Sequence, residues 1–279
     1  MSFQEKLRRS MESNKSLVCI GLDPDPSLIP IPDIRKFLAT IIDVTKDLVC
    51  AYKPNLAFYE SLGLEGFQIL EETITKIPSE IPVIGDAKRG DIANSSQHYA
   101  KTLFDIWGFD AVTINPFGGQ DSVQPFLDYK EKGIFLWCRS SNPGAWEFQD
   151  LKVLDSNTVE AKPLYEWIAL RSRVWNEAKN VGLVVGATYP DELKRIRNLC
   201  PEMPILIPGV GTQSGALESS VSNGVDSEGK NALINLSRSV LYASKHEIDF
   251  AQAAREEAEN IRQRINNQLI ICDKNLEKP

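Results

Sequence analysis

The chain has 279 residues, 42% hydrophobic and 25% charged, which is enough to bury a full core and leaves both one closed barrel and two smaller domains open. A formal net charge of -7 argues against a surface made for nucleic acid or an anionic membrane, because either would repel a uniformly acidic protein. The five cysteines, Cys19, Cys50, Cys138, Cys200 and Cys272, are scattered without CxxC spacing and read as reduced thiols of a cytoplasmic protein; no stretch approaches the roughly 20 apolar residues of a membrane span, and nothing marks export or anchoring.

Residues 1–14 form an amphipathic charged stretch that predicts an N-terminal helix. Short runs rich in β-branched and apolar residues then alternate with segments of helical period to the end of the chain, at 17–22, 51–56, 82–88, 111–115, 134–139, 183–188, 205–210 and 232–236. Between them one helical face is kept by Ile34, Phe37, Leu38, Ile41 and Leu48, and another by Phe67, Leu70, Ile74 and Ile77. The last helix repeats the period with Phe250, Ala254, Ala258, Ile261, Ile265, Leu269 and Cys272. No linker, repeat or low-complexity tract divides the chain. Eight strand–helix units without a break predict an α/β fold, a single (β/α)8 TIM barrel over residues 1–279. Two stretches interrupt the rhythm, 141–162 after the fifth strand and 211–230 after the seventh; the second, rich in Gly and Ser, predicts a mobile loop on the catalytic face.

Charged and polar residues collect where the strands end, positions that burial should otherwise keep apolar. Asp23 closes the first strand, Lys53 sits in the second in Tyr-Lys-Pro-Asn, and Asp86-Ala-Lys88-Arg-Gly-Asp91 closes the third. Ser140-Ser141-Asn142-Pro143-Gly144 ends the fifth and Ser237-Arg238 the eighth. Strand alternation puts Asp86 and Lys88 on one face, toward the barrel mouth, with Asp91 three residues later at the start of the next loop or helix. Buried charges are costly unless paired, so Lys53, Asp86, Lys88 and Asp91 would hold one another by mutual neutralisation and fix the Lys88 ammonium in place.

Each feature also has an ordinary reading. A DxKxxD run is commonly a solvated face or a structural ion-pair network, although this one follows the apolar Pro-Val-Ile-Gly run. Asp23 before Pro24 could be a turn residue, and Ser-Asn-Pro-Gly is an ordinary turn. The Gly-x-Gly after the seventh strand lacks the fuller dinucleotide pattern. Arg238 is the sharpest of the set, since an arginine ending an apolar strand needs an anionic partner. His98 and His246, the only histidines, have no metal-ligand spacing and read as surface or packing residues. Trp137, Trp146, Trp167 and Trp175 read as core or interface aromatics.

Asp86-Ala-Lys-Arg-Gly-Asp91-Ile, with Leu-Asp23-Pro and Lys53-Pro-Asn upstream, and Ser141-Asn-Pro-Gly, Pro208-Gly-Val-Gly-Thr-Gln213 and Arg238 downstream, resembles the orotidine 5'-phosphate decarboxylase family in its longer bacterial branch. The resemblance runs from the first strand to the eighth. It implies decarboxylation of orotidine 5'-monophosphate to uridine 5'-monophosphate in pyrimidine biosynthesis, without metal or organic cofactor, with Lys88 protonating C6 after CO2 departs. It further implies a homodimer with shared active sites, in which Asp91 completes the Lys53, Asp86, Lys88 array of the neighbouring subunit. Asp23 would meet ribose hydroxyls, Ser141 the pyrimidine amide edge, Ser95 the ribose from the partner subunit, and Gln213 and Arg238 the phosphate. Ser95 departs from the family, where Thr is common.

Two other readings stay open at this stage. A Mg2+-dependent sugar-phosphate aldolase or decarboxylase of the same superfamily shares the DxKxxD strand, but it wants another carboxylate near Lys53, where this chain has Lys-Pro-Asn. A non-catalytic nucleotide-phosphate-binding protein is the other, and it has no use for four converging charges.

Overall fold

The computed structural model describes residues 1–154, 160–210, 216–274 and 276. Eight strands appear where the apolar runs predict them: β1 (Val18–Gly21), β2 (Ala51–Lys53), β3 (Ile84–Arg89), β4 (Ala111–Ile114), β5 (Gly133–Arg139), β6 (Val181–Val185), β7 (Ile205–Ile207) and β8 (Ala232–Leu236). They are all parallel and each pairs with its sequence neighbours, β8 returning to β1 through Val18 opposite Ile234. At the β2–β3 seam two isolated bridges complete the ring, Tyr52 with Val83 and Asn55 with Asp86. There the Tyr52 N–H donates to Pro82 O at 3.0 Å and the Asp86 N–H to Pro54 O at 2.9 Å. The strands are short, continuous apolar runs because helices cover the outside and side chains fill the inside, so both faces are dry.

Helices begin where the sequence offers caps. Ser2 and Glu5 form a reciprocal capping box for Phe3–Asn14, and Asp33 accepts the Lys36 N–H at the start of Ile34–Thr45. The 22-residue helix Phe250–Ile271 buries Phe250, Ala254, Ala258, Ile261, Ile265 and Leu269, the stripe its spacing predicts. In Gly63–Lys76 the buried stripe is Gly66, Ile69, Leu70 and Thr73, one position round from the expected face. Phe67 lies at the rim, where its ring stacks on Trp107 at 5.7 Å.

The stretch 211–230 differs from the expected mobile loop. Residues 216–224 form the helix Ala216–Gly224, with Leu217, Ser220, Val221 and Gly224 buried at helical spacing. Gly224 packs closely there: a Cβ would come within 2.4 Å of Ile207 Cδ1 on β7, so a larger residue would make that side chain shift. Residues 211–215 lie outside the described residues.

The N-terminal helix closes the end of the barrel opposite the strand C-termini. Phe3 meets the Phe135 ring edge-on at 5.7 Å, and a Cβ on Gly133 would lie 2.4 Å from the Phe3 ring. Lys6 Nζ pairs with Asp110 at 2.7 Å, and the same carboxylate accepts the Val83 N–H at 2.9 Å. Truncating this plug, Phe3→Ala, should lower the unfolding free energy by about 3 kcal/mol, read as a drop in the urea midpoint at constant slope; a loss under about 1 kcal/mol would show that the aromatic does not close the core.

Candidate active site

The third strand explains how a charged cluster forms inside an apolar barrel. Ile84 and Gly85 pair with Ala111 and Val112, but the next pairing is Arg89 with Ile114, so β3 carries two extra residues against β4. Within this bulge Lys88 has φ +46°, in the left-handed region that a lysine enters at a cost of about 1 kcal/mol. Its N–H leaves the ladder and donates to Thr113 Oγ1 at 3.1 Å, while the Thr113 hydroxyl donates to Asp86 Oδ1 at 2.7 Å. The lysine is thereby turned back over the carboxylate.

Asp86 holds the cluster. Its Oδ1 also accepts Lys88 Nζ at 2.6 Å, and its Oδ2 accepts Lys53 Nζ at 3.0 Å. Lys53 is 3% exposed and Asp86 8%, whereas the Lys88 side chain is 35% exposed and faces open space. Burial alone would raise the Asp86 carboxyl, but the two ammonium groups and two side-chain hydrogen bonds hold it well below the usual carboxylate range. Burial likewise works against the Lys53 charge, and Asp86 with Asp23 overcomes it, lifting this ammonium above the ordinary lysine value. The neighbouring Cys19 thiol is pushed up to about 12 by burial, which leaves it neutral and unsuited to nucleophilic work.

Around this cluster lies a cavity of about 1010 Å³. Its wall includes Asp23, Lys53, Asp86, Lys88, Ser141 and Arg238, so one chain gathers six of the nine residues singled out from the sequence. Asp23 Oδ1 accepts the Asn55 N–H at 3.1 Å, fixing the carboxylate on the β1 side of the mouth. Arg238 opens the short helix Arg238–Leu241 just past β8 and is exposed. Asp91 and Ser95 do not line this cavity: Asp91 is exposed beyond β3, its carboxylate accepting the Ile92 N–H at 2.7 Å, and Ser95 lies in the helix Ala93–Lys101. Gln213 lies outside the described residues. Among the described residues no group of three His, Cys, Asp or Glu side chains is placed to hold a metal ion.

Sequence reasoning missed four residues at the site. Thr113 and Asn235 are single polar residues in otherwise apolar strands, AVTI and ALINL, and that contrast was the available signal. Asn235 is buried and lines the cavity. Trp137, read as a core aromatic, is half-buried on the cavity wall with its ring centroid 6.0 Å from Lys88 Nζ, at the outer limit of a cation–π contact. Tyr242 donates its hydroxyl to Asp23 O at 2.9 Å and accepts the Asp25 N–H at 2.7 Å, bracing the β1 loop; no local pattern announced it.

Replacing Asp86 by Asn strips the buried Lys53 of its counter-charge and should cost about 3–5 kcal/mol of stability. The depressed Asp86 pKa gives stability that is present above the unfolded value of about 3.9 and lost as pH falls through the folded value; the raised Lys53 pKa gives stability present below about 10.4 and lost as pH rises through its folded value. The difference in unfolding free energy between the parent protein and Asp86→Asn should therefore be flat from about pH 5 to 9 and shrink below about pH 4. A difference that peaks near pH 4 would contradict this network.

A family model described as Orotidine 5'-phosphate decarboxylase / HUMPS family matches residues 16–253. The orotidine 5'-phosphate decarboxylase of Dehalococcoides mccartyi strain 195 is 48% identical over 268 residues, covering 96% of this chain and 98% of that protein. The Thermomicrobium roseum enzyme of the same name is 48% identical over 95% of both chains. Among solved structures, Leishmania donovani OMP decarboxylase superposes with a TM-score of 0.85 at 37% identity, over 97% of this chain and 100% of that one. Matched by the family model over most of its length and nearly half identical to relatives from end to end, the chain belongs to the orotidine 5'-phosphate decarboxylase / HUMPS family.

Proposed function

We propose that this chain decarboxylates orotidine 5'-monophosphate to uridine 5'-monophosphate without a cofactor, with Lys88 as the proton donor. The observation that carries this reading is the Lys53–Asp86–Lys88 chain of ion pairs, buried at one end and open to a large cavity at the other. Loss of CO2 breaks the C6–carboxylate bond and leaves its electron pair on C6, where no conjugated group can take it up. Fixed positive charge beside C6, in a site shielded from water, lowers the barrier. The Lys88 ammonium supplies that charge and then an N–H proton to C6; solvent returns a proton to the resulting amine. Asp86 prevents the ammonium from wandering, since its Oδ1 fixes Lys88 Nζ while Lys53 and Thr113 fix the carboxylate.

The remaining residues take the roles their positions favour. Asp23 would accept ribose hydroxyl protons, Ser141 would meet the pyrimidine amide edge, and Arg238 with Gln213 would hold the phosphate. Asp91 and Ser95 would act in trans in a homodimer. Exposed Ile92, beside Asp91, and exposed Phe117, on the loop after β4, offer apolar surface on adjacent loops, for Gly90 packs directly on Asn115 O. All five cysteines are free, in keeping with a reducing cytoplasmic setting, and no described helix is long and apolar enough to cross a membrane. The aldolase reading has weaker support, because the second strand and the two residues after it offer Lys53 and Asn55 but no further carboxylate.

The direct test is ultraviolet absorbance of orotidine 5'-monophosphate with protein purified and assayed in EDTA; full turnover is expected, and activity that returns only with Mg2+ would favour the aldolase-type chemistry. Lys88→Ala should lower kcat/KM by about 1000-fold or more with thermal stability little changed, and a loss under tenfold would remove Lys88 from the chemistry. Equilibrating Lys88→Ala with Asp91→Ala protein should restore about a quarter of the parent activity if sites are shared, because half the dimers carry one intact site; no recovery would refute sharing.

A further inference from the structure

Arg139, the last residue of β5, is the largest fully buried side chain among the described residues, 1% exposed, at the rim of the cavity. Its guanidinium lies 3.9 Å from the centroid of the Tyr189 ring and 5.4 Å from that of Tyr165. Nη1 pairs with Asp150 at 2.9 Å and reaches Gln149 Oε1 at 3.4 Å, and Nη2 approaches Glu192 at 3.7 Å. One arginine thus ties the segment after β5, which carries Gln149 and Asp150, to the segment after β6, which carries Tyr189 and Glu192. Planar stacking with several donors in a fixed fork is what distinguishes arginine from any apolar filler of the same volume.

These contacts converge on the 140–142 turn. Gln149 Oε1, held beside Arg139, accepts the Ser140 N–H at 2.9 Å. The Ser140 hydroxyl bonds Asn142 Oδ1 at 2.8 Å and accepts the Asn142 N–H at 3.2 Å. Tyr189, whose ring covers the guanidinium, donates its hydroxyl to Asn142 O at 3.3 Å. Beneath the turn, the Gly186 N–H donates to Arg139 O at 2.8 Å. Ser141 is wedged against two glycine backbones: a Cβ on Gly186 would lie 2.7 Å from Ser141, and one on Gly209 3.3 Å away. Ser141 itself lines the cavity.

We propose that Arg139 is a positioning residue that acts through Gln149 and Tyr189 to fix the 140–142 turn, so that Ser141 reads the pyrimidine edge of the bound nucleotide. This rests on the assignment of Ser141 to the pyrimidine given above. A guanidinium fixed from both sides pre-pays the ordering of a turn that would otherwise be ordered by substrate, and the benefit falls on pyrimidine contacts alone. The ribose and phosphate contacts assigned to Asp23 and Arg238, at the β1 and β8 ends, are untouched.

The test compares inhibition by uridine 5'-monophosphate with inhibition by ribose 5-phosphate, which lacks the ring, in Arg139→Lys, Gln149→Leu and Ser141→Ala proteins. Arg139→Lys keeps the charge and loses the fork; Gln149→Leu removes only the acceptor of the Ser140 N–H and serves if the buried substitution fails to fold. Both should weaken uridine 5'-monophosphate about tenfold while ribose 5-phosphate stays within about twofold, as Ser141→Ala should also do. Equal weakening of both ligands, or of neither, in the Arg139 and Gln149 variants would make the cluster merely structural and overturn the proposal. A selective loss in Ser141→Ala alone overturns the proposal and leaves the Ser141 assignment standing. No selective loss in Ser141→Ala overturns the assignment and the proposal with it.

Discussion

A single carboxylate, shared between two ammonium groups, organises the catalytic end of this barrel. Asp86 gives one oxygen to Lys53, which is nearly inaccessible, and the other to Thr113, which is buried, and to Lys88, which faces the cavity. Removing an ion pair of this kind from water is unfavourable unless every lone pair and proton finds a partner. Here both oxygens of Asp86 are paired and Lys88 is left partly exposed, so in the proposed mechanism the ammonium buried for stability and the ammonium offered to substrate are two different groups. Lys53 neutralises Asp86 at the base, so under the proposed mechanism Lys88 would approach substrate without leaving an unpaired anion behind it.

The barrel makes this arrangement possible because its strands are parallel. All eight C-terminal ends open on one side, and a charge placed at the end of any strand projects into the same space. The opposite end is sealed by the N-terminal helix and Phe3. Stability and chemistry are thus assigned to opposite poles of the same fold. The bulge in β3 is the local departure from regularity that brings Lys88 over Asp86: Lys88 leaves the ladder at positive φ, and Thr113 replaces the lost ladder partner. Strain at Lys88 is held by the same hydroxyl that orients Asp86.

Much of this was legible in the chain itself. Short apolar runs bounded by polar turns gave all eight strands, because a strand buried on both faces leaves no alternation to misread. The convergence of Lys53, Asp86 and Lys88 followed from charges at strand ends, yet the route did not. Regular alternation places Asp86 and Lys88 on one face, whereas the structure reaches the same meeting through a bulge, which depends on register with β4 and has no local signature. The Gly- and Ser-rich composition of 211–230 obscured the helix at Ala216–Gly224, whose buried stripe includes Ser220 and Gly224 and so carries little hydrophobic signal. Trp137, Tyr242 and Arg139 each depend on a partner distant in sequence, Lys88, Asp23 and Tyr189 respectively, 49 to 219 positions away. Asp91 is the extreme case, since the role its motif implies lies in a second copy of the chain.

The central claim is that the Lys88 ammonium, held by Asp86, meets the electron pair left at C6. A crystal structure of the protein with uridine 5'-monophosphate measures this directly. The account predicts Lys88 Nζ within about 3 Å of C6, still bonded to Asp86, with a second carboxylate, Asp91 of the partner subunit, closing on the same ammonium. A lysine turned toward solvent with the nucleotide in place, or C6 lying on the far wall of the cavity, would contradict it.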